Sequence, residues 1–573
     1  MAVTGGTVDM KTAEGFPFPQ GCTVEGKNVN FSVAVPEGQT CELILYKRGG
    51  RASVFSKEML RSDVAGNLRF LSVDLDDPEA YEYCYRIGGK VIPDPYGKAF
   101  SGREHWSVSK GQEKRKLRTR IVADTFDWGE AKLPHLKKEE VIAYSLHVRG
   151  FTKHSSSGVK NKGTFDGVTE KIPYLQTLGI NQIHLMPVYE FDENQRHVNY
   201  WGYGKAYFFA PKASYAAGDP VAEMKTMVRQ MHLAGMEVVL EMPFVEGTSF
   251  SMILDCLRYW VMQYRVDGFI VNPYICNLDE LTKDPVLAGS KILKKEDSFQ
   301  NVMRRFLKGD EGMIQDVIWQ LKNQDTQLYN YIASHNGFTL YDVVSYDGKH
   351  NEANGENNLD GPDYNYSWNC GAEGSSRKKA VNALRKNQIF NAFFLLLFAK
   401  GTPCILSGDE FMNTQKGNNN AYCQDNLISW LDWNQLSKQE ELYTFVCRMI
   451  ALRKACMKQT MKKAEDPAGR NRIPQISYHG EDAWQMPAGR ASRQLGVFYH
   501  DDSTEKDFYI AYNMHWLSHS FALPTLPKEK EWICIAGTKE GVLDEKEAVP
   551  VKEKKVQLKE RTIKVFVGRQ AKE

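Results

Sequence analysis

The sequence predicts a multidomain α/β chain in which a parallel barrel is flanked by two β regions. Three observations carry this. Residues from about 15 to 125 alternate as antiparallel strands do, with turn residues between them. From about 137 the texture changes to strand-then-helix units, and from about 466 to 573 it reads as β again. The length, 573 residues, exceeds one ordinary domain. Hydrophobic content of 42% and charged content of 25% are those of a globular protein.

In the first region Val29–Val33 and Cys41–Tyr46 alternate, and Tyr81–Arg86 places tyrosines at every second position. A small antiparallel sandwich is expected. The second region opens with a strand at Val141–Val148. A helix at Thr169–Leu178 is stopped by Gly179 and followed by a strand at Ile183–Pro187. Helix Ala222–Leu233, strand Val238–Glu241 and helix Phe250–Gln263 lead to the buried strand Gly268–Val271, which ends in the polar Asn272. Helix Asn382–Lys400, strand Pro403–Ser407 and helix Gln439–Ala455 complete the rhythm. Such alternation predicts a parallel sheet closed into a barrel, with chemistry at the C-terminal ends of its strands. The last region offers Gln494–Tyr499, Phe508–Tyr512 and Thr562–Val567 as strands.

Composition excludes several classes. A net charge of +2 argues against a nucleic-acid or anionic-membrane surface, and the runs Lys114–Lys116 and Lys552–Lys555 read as solvated faces. The 11 cysteines are odd in number and lack C-x-x-C spacing, which predicts free thiols in a reducing compartment with no disulfide framework and no metal site. The start, Met1–Gly6, lacks the charged and apolar segments of a signal peptide. Ile389–Phe398 is apolar but too short for a bilayer. A cytoplasmic chain without nucleic-acid or membrane partner and without cofactor is expected.

Four stretches carry a family resemblance: Asn199-Tyr-Trp-Gly-Tyr203, Lys349–Asn357, Asn365–Gly371, and Ser407–Phe411 with Gly417–Asn426. They resemble the isoamylase, or glycogen-debranching, branch of the α-amylase superfamily. The resemblance runs from about Phe16 to the C-terminal region. It implies a glycogen-binding-type β-sandwich over 1–128, a reduced (β/α)8 TIM barrel over 137–460 and a C-terminal β-sandwich over 466–573. It also implies α-glucan (glycogen, starch or maltodextrin) as the partner. Some plant isoamylase isoforms lack catalytic residues and act in hetero-complexes. By that analogy, a hetero-complex with an active debranching enzyme is a further expected partner.

Retaining glycoside hydrolysis needs two carboxyl groups about 5 Å apart, one as nucleophile and one as acid. The family adds a third that stabilises the transition state. The nucleophile strand of the family reads roughly Asp-Gly-Phe-Arg-Phe-Asp. Here Asp267-Gly-Phe-Ile-Val-Asn272 puts Asn272 at the nucleophile and Ile270 at the supporting arginine. The acid position falls on Lys295, with Glu296 displaced by one residue and so directed to the opposite face of a strand. The third carboxylate becomes Asn336, after His335. The third strand, Leu240-Glu-Met-Pro-Phe-Val-Glu246, lacks the family's Asn and His, and the loops after Glu246 and after Asp297 are short.

No member of the catalytic set is intact at Asn272, Lys295 and Asn336. Losing one member of such a set costs on the order of 10⁴ to 10⁶ in turnover elsewhere. A non-catalytic homologue that binds α-glucan, or scaffolds or regulates an active glycogen or starch enzyme, is therefore expected. Tyr203, His335, Asn272 and Asn336 are its candidate glucan contacts. The alternative is an active α-1,6 hydrolase or transglycosylase built on displaced carboxylates among Glu241, Glu246 and Glu296. Asn272 and Asn336 read either as locally bonded remnants or as amides that bond glucose hydroxyls. Tyr203 and His335 read as sugar contacts or as packing. Tyr46, Tyr81, Tyr83, Tyr85 and Trp106 read first as a packed sheet face and second as sugar platforms. The asparagine-rich runs 349–358 and 418–426 read as networks that fix loops on the barrel.

Overall fold

The computed structural model describes residues 10–107, 116–123, 125–323, 325–460, 476–487, 489–501, 506–543 and 548–571. The signal-peptide question at Met1–Gly6 and the residues Lys114 and Arg115 lie outside them. Lys552–Lys555 is exposed, as expected.

The N-terminal region is a sandwich of a four-stranded and a six-stranded antiparallel sheet. Alternation places Phe31, Leu43, Leu45, Val73, Tyr83 and Tyr85 in one core between them. Tyr81, Tyr83 and Tyr85 are thus a packed face, with Tyr83 and Tyr85 fully buried, and they are closed to sugar. Trp106 stacks on Tyr215 of the barrel at 5.7 Å and is likewise committed to packing.

The barrel strands are β1 (Ala143–Leu146), β2 (Gln182–Leu185), β3 (Glu237–Met242), β4 (Gly268–Val271), β5 (Lys291–Leu293), β6 (Tyr329–Asn330) and β7 (Thr402–Leu406). All are parallel, in the order β5-β4-β3-β2-β1-β7-β6. A single bridge, Lys294 to Leu328, joins the two ends of that order. The barrel is therefore reduced to seven strands among the described residues. Between β5 and β6 stand two helices in succession, Ser298–Lys308 and Ile314–Lys322. The chain between them does not enter the sheet. It is pinned from outside by the C-terminal region: Arg493 Nε donates to the Gly309 carbonyl at 2.6 Å and the Gly312 N–H to the Arg490 carbonyl at 2.8 Å.

The outer helices follow their sequence signals. Helix α1 (Pro220–Leu233) starts with proline in its first turn and Asp219 as cap, accepting from the Val221 and Ala222 amides at 3.0 and 3.1 Å. Helix α2 (Phe250–Tyr264) is capped by Ser249. The predicted helix Thr169–Leu178 is two short ones, Phe165–Thr169 and Ile172–Leu178, because Pro173 has no N–H to continue the ladder and suits a first turn. The barrel interior is filled by Val141, Ala143, Val239, Ile270, Leu293, Tyr329, Tyr331 and Cys404. Ile270, where the family carries arginine, is part of this plug. Gly268 lets β4 and β5 meet, since a Cβ there would lie 2.4 Å from the Lys291 carbonyl oxygen.

The C-terminal region is a six-stranded antiparallel sheet with a two-stranded ribbon, His519–Ala522 paired with Lys555–Leu558. No helix among the described residues is long and apolar enough to cross a membrane.

Candidate glucan site at the barrel mouth

Alternation along β3 points Glu237, Val239 and Glu241 into the lumen, and along β5 it points Lys291, Leu293 and then Lys295 the same way. Glu241 therefore stands at the mouth. The loop 192–205 closes over it. That loop hangs from a hairpin, Tyr189–Phe191 with Ala206–Pro211. Asn199 brackets its tip by donating to the Tyr203 carbonyl at 2.9 Å and accepting from the Gly202 amide at 3.0 Å. Gly202 has φ +82, and a Cβ there would strike the Phe191 ring at 2.4 Å, so only glycine serves.

This bracket delivers Tyr203 to the mouth. Its hydroxyl donates to Glu241 Oε1 at 2.6 Å and lies 2.6 Å from His335 Nε2. A phenol has one proton, so His335 must be the donor in the second contact, as the Nε2–H tautomer. Burial drives the His335 pKa well below the ordinary range, with Lys295 adding repulsion, so the ring is neutral. Burial also raises the Glu241 carboxyl, offset by Lys295 and by the Tyr203 bond. Lys295 is lowered by burial, offset by Glu241 and then Asp297. Its ammonium lies 5.6 Å from the Tyr331 ring centre, and Tyr331 in turn donates to Asp297 at 2.6 Å.

Asn272 and Asn336 are exposed. Asn272 Oδ1 accepts from the Tyr274 amide at 3.0 Å. The side-chain NH2 of Asn272 and the Asn336 carboxamide have no hydrogen bond among the described residues. Asn272 is thus locally bonded through its oxygen, and the Asn336 side chain is not. Glu296 is exposed and pairs with Lys294 at 3.2 Å, facing away from the mouth as its strand phase requires. Glu246 is exposed in the turn before α2.

Beside Tyr203 opens a cleft of about 420 Å³ lined by Trp201, Tyr203, Tyr422, His197, Asn199 and Asn420. Trp201 meets His335 edge-on at 5.1 Å and Tyr422 at 6.4 Å. The Asn-rich runs form the expected clamp behind it. Asn351 Nδ2 donates to Asn419 at 2.8 Å, Asn418 Nδ2 to Asn354 at 2.9 Å, and Gln424 Nε2 to Asn354 at 2.8 Å. The sequence offers Tyr203 and His335 as candidate glucan contacts and Glu241 as a displaced carboxylate; of these Tyr203 lines the cleft, and Trp201, Tyr422 and His197, which also line it, were not singled out. The Asn-Tyr-Trp-Gly-Tyr run was the available signal for Trp201.

A β-sandwich, a parallel barrel with an aromatic mouth and a second β-region in one chain define the architecture of the α-amylase superfamily. Residues 146–246 match the family described as Alpha amylase, catalytic domain. The chain is 31% identical to rice (Oryza sativa subsp. japonica) chloroplastic isoamylase 3, covering 80% of this chain and 73% of that protein. It is 27% identical to the glycogen operon protein GlgX homolog of Mycobacterium bovis, covering 92% and 94%. Among solved structures, type I pullulanase from Bacillus subtilis, crystallised with maltose, superposes with a TM-score of 0.73 at 19% identity, over 97% of this chain and 86% of that one. The chain belongs to the isoamylase family, the debranching branch of that superfamily.

Proposed function

We propose that this chain binds α-glucan at the barrel mouth and does not hydrolyse it. One observation carries the reading: β5 directs Lys295 into the lumen beyond Leu293, on the face where β3 presents Glu241, so an ammonium stands where a second carboxyl group would be needed. Retaining hydrolysis needs two carboxyl groups about 5 Å apart there. The family's catalytic positions, Asn272, Lys295 and Asn336, supply two amides and an amine. A neutral carboxamide can neither form a glycosyl ester nor stabilise a neighbouring oxocarbenium ion. The side-chain NH2 of Asn272 and the carboxamide of Asn336 retain hydrogen-bonding capacity for glucose hydroxyls, and Trp201, Tyr203 and Tyr422 supply ring surface. Pullulanase structures described with maltose and maltotetraose lend the fold a precedent for such ligands. The 11 free cysteines fit a reducing compartment such as the cytoplasm.

The test is a paired assay on glycogen and branched maltodextrin, measuring reducing ends and retardation in glucan-containing gels. Retardation without release is expected. Release that survives Asn272→Ala and is lost with Glu241→Gln would overturn the reading in favour of displaced carboxylates. Neither retardation nor release would overturn glucan binding and turn attention to an active debranching enzyme as a protein partner.

A further inference from the structure

On the floor of the barrel the Lys291 ammonium crosses the inside of β4 to reach the Glu237 carboxylate. Lys295 stands four residues further along the same chain and faces the same lumen. The bridge from Lys294 to Leu328 keeps the chain extended up to that point. A stem of the same length therefore brings the Lys295 amine to the side of the mouth where Glu241 stands. It does not close the pair: among the described residues Lys295 has no hydrogen bond and no ion pair. Its nitrogen lies beside the face of Tyr331, whose hydroxyl is taken by Asp297. Lys295 and Glu241 are each partly exposed, whereas Val239, Ile270 and Leu293 below them are buried, so both groups look out of the lumen into the mouth.

An unpaired, poorly hydrated amine is a nucleophile. Burial holds the Lys295 ammonium below the ordinary lysine range; Glu241 and Asp297 offset this in part, and Arg304 adds repulsion. Free amine is thus more abundant near neutral pH than on an exposed lysine. Burial also raises the Glu241 carboxyl, which keeps a proton to give at higher pH than an exposed glutamate does. The Tyr203 hydroxyl, 2.6 Å from both Glu241 Oε1 and His335 Nε2, fixes the orientation of that carboxyl. A neutral amine and a proton donor are the two parts that imine formation needs. Glu241, Tyr203, His335 and the free Asn336 carboxamide suit a carbonyl compound that carries hydroxyls. A bare hydrocarbon aldehyde would leave these polar groups unserved.

We propose that Lys295 captures α-hydroxy aldehydes as an imine, with Glu241 as the proton donor. The Nζ lone pair attacks the carbonyl carbon, and a C–N bond forms as the carbonyl π pair moves to oxygen. A proton then moves from nitrogen to that oxygen, giving a neutral carbinolamine. Glu241 protonates the hydroxyl, the C–O bond breaks, water leaves, and the nitrogen lone pair closes the C=N bond. Amine, aldehyde and carboxylic acid become iminium, carboxylate and water, with no oxidant or reductant. The exchange of carboxyl for amine that removes hydrolysis is the one that supplies this nucleophile. A free small hydroxy aldehyde and the open-chain reducing end of a maltodextrin share the required chemistry.

The test treats the full chain with cyanoborohydride, which reduces an imine to a stable amine, and with glyceraldehyde or maltotriose in separate arms. Peptide mass spectrometry locates the adduct. At neutral pH Lys295 is expected to be labelled at least about tenfold faster than the exposed Lys552 and Lys554, the ratio of free amine that one pKa unit gives. Its rate should level off at a lower pH than theirs. Glu241→Gln, shown by its melting to be folded, should slow labelling about a hundredfold, the low end for loss of a general acid. Labelling in either arm supports the proposal and tells the two aldehyde sources apart. Labelling of Lys295 no faster than of the exposed lysines in both arms, or equally fast in Glu241→Gln, would overturn it. Capture of glyceraldehyde needs no glucan, so labelling without gel retardation would support this proposal while removing the glucan reading. Retardation without labelling would do the reverse.

Discussion

The floor and the mouth of the barrel carry the same two charges on the same two strands and use them oppositely. On the floor, Glu237 of β3 is met by the Lys291 ammonium of β5, by Gln182 Nε2 at 2.7 Å and by the Leu136 amide at 2.8 Å. Four residues further along each strand, Glu241 and Lys295 repeat the pair at the mouth, with the Val239–Leu293 layer between. There Glu241 accepts only the Tyr203 hydroxyl, and Lys295 forms no ion pair within 4.0 Å among the described residues. A satisfied buried pair holds strands in place, whereas a loosely satisfied one keeps hydrogen-bonding capacity for a ligand.

Four changes test that contrast. The largest effect is expected on the floor. Glu237→Gln strands the Lys291 charge and should destabilise by about 3 kcal/mol, the low end for a broken buried pair because Lys291 is 26% exposed. Chemical denaturation measures it. Next is Tyr203→Phe, which removes a bond to a charged acceptor and should cost about 1.5–3 kcal/mol in the same experiment. If it costs nothing, the mouth is looser than described. Smaller still, and opposite in sign, is Glu241→Gln. The folded Glu241 pKa is raised, so the native state binds its proton more tightly than the unfolded chain does. Stability is then lost as pH rises from about 4.3, the unfolded value, through the raised one. The glutamine variant should melt higher than wild type at neutral pH and match it near pH 4. A constant gap across that range would refute the assignment. The smallest effect is Asn272→Asp, which restores one carboxylate opposite a lysine. No release of reducing ends is expected.

Much of this was legible in the chain. Gly268–Val271 announced itself as a short apolar run ending in a polar residue, and the phase of β5 placed Lys295 inward and Glu296 outward. Strand β6 was not legible, since two residues, Tyr329 and Asn330, carry no period. The helices at 298–308 and 314–322 were overlooked although Phe299, Met303, Phe306 and Leu307 have helical spacing and are buried.

The seven-strand count has one more consequence. In an eight-strand barrel, neighbours alternate in which layer of the lumen they fill, and the alternation closes on itself. With an odd number it cannot, so somewhere two adjacent strands must feed the same level. The seam between β5 and β6 is where the backbone ladder is thinnest, with one bridge joining the edges and Leu293, Tyr329 and Tyr331 packed in the lumen beside it. There the closure of the barrel rests on side-chain packing, two aromatic rings included, more than on paired backbone.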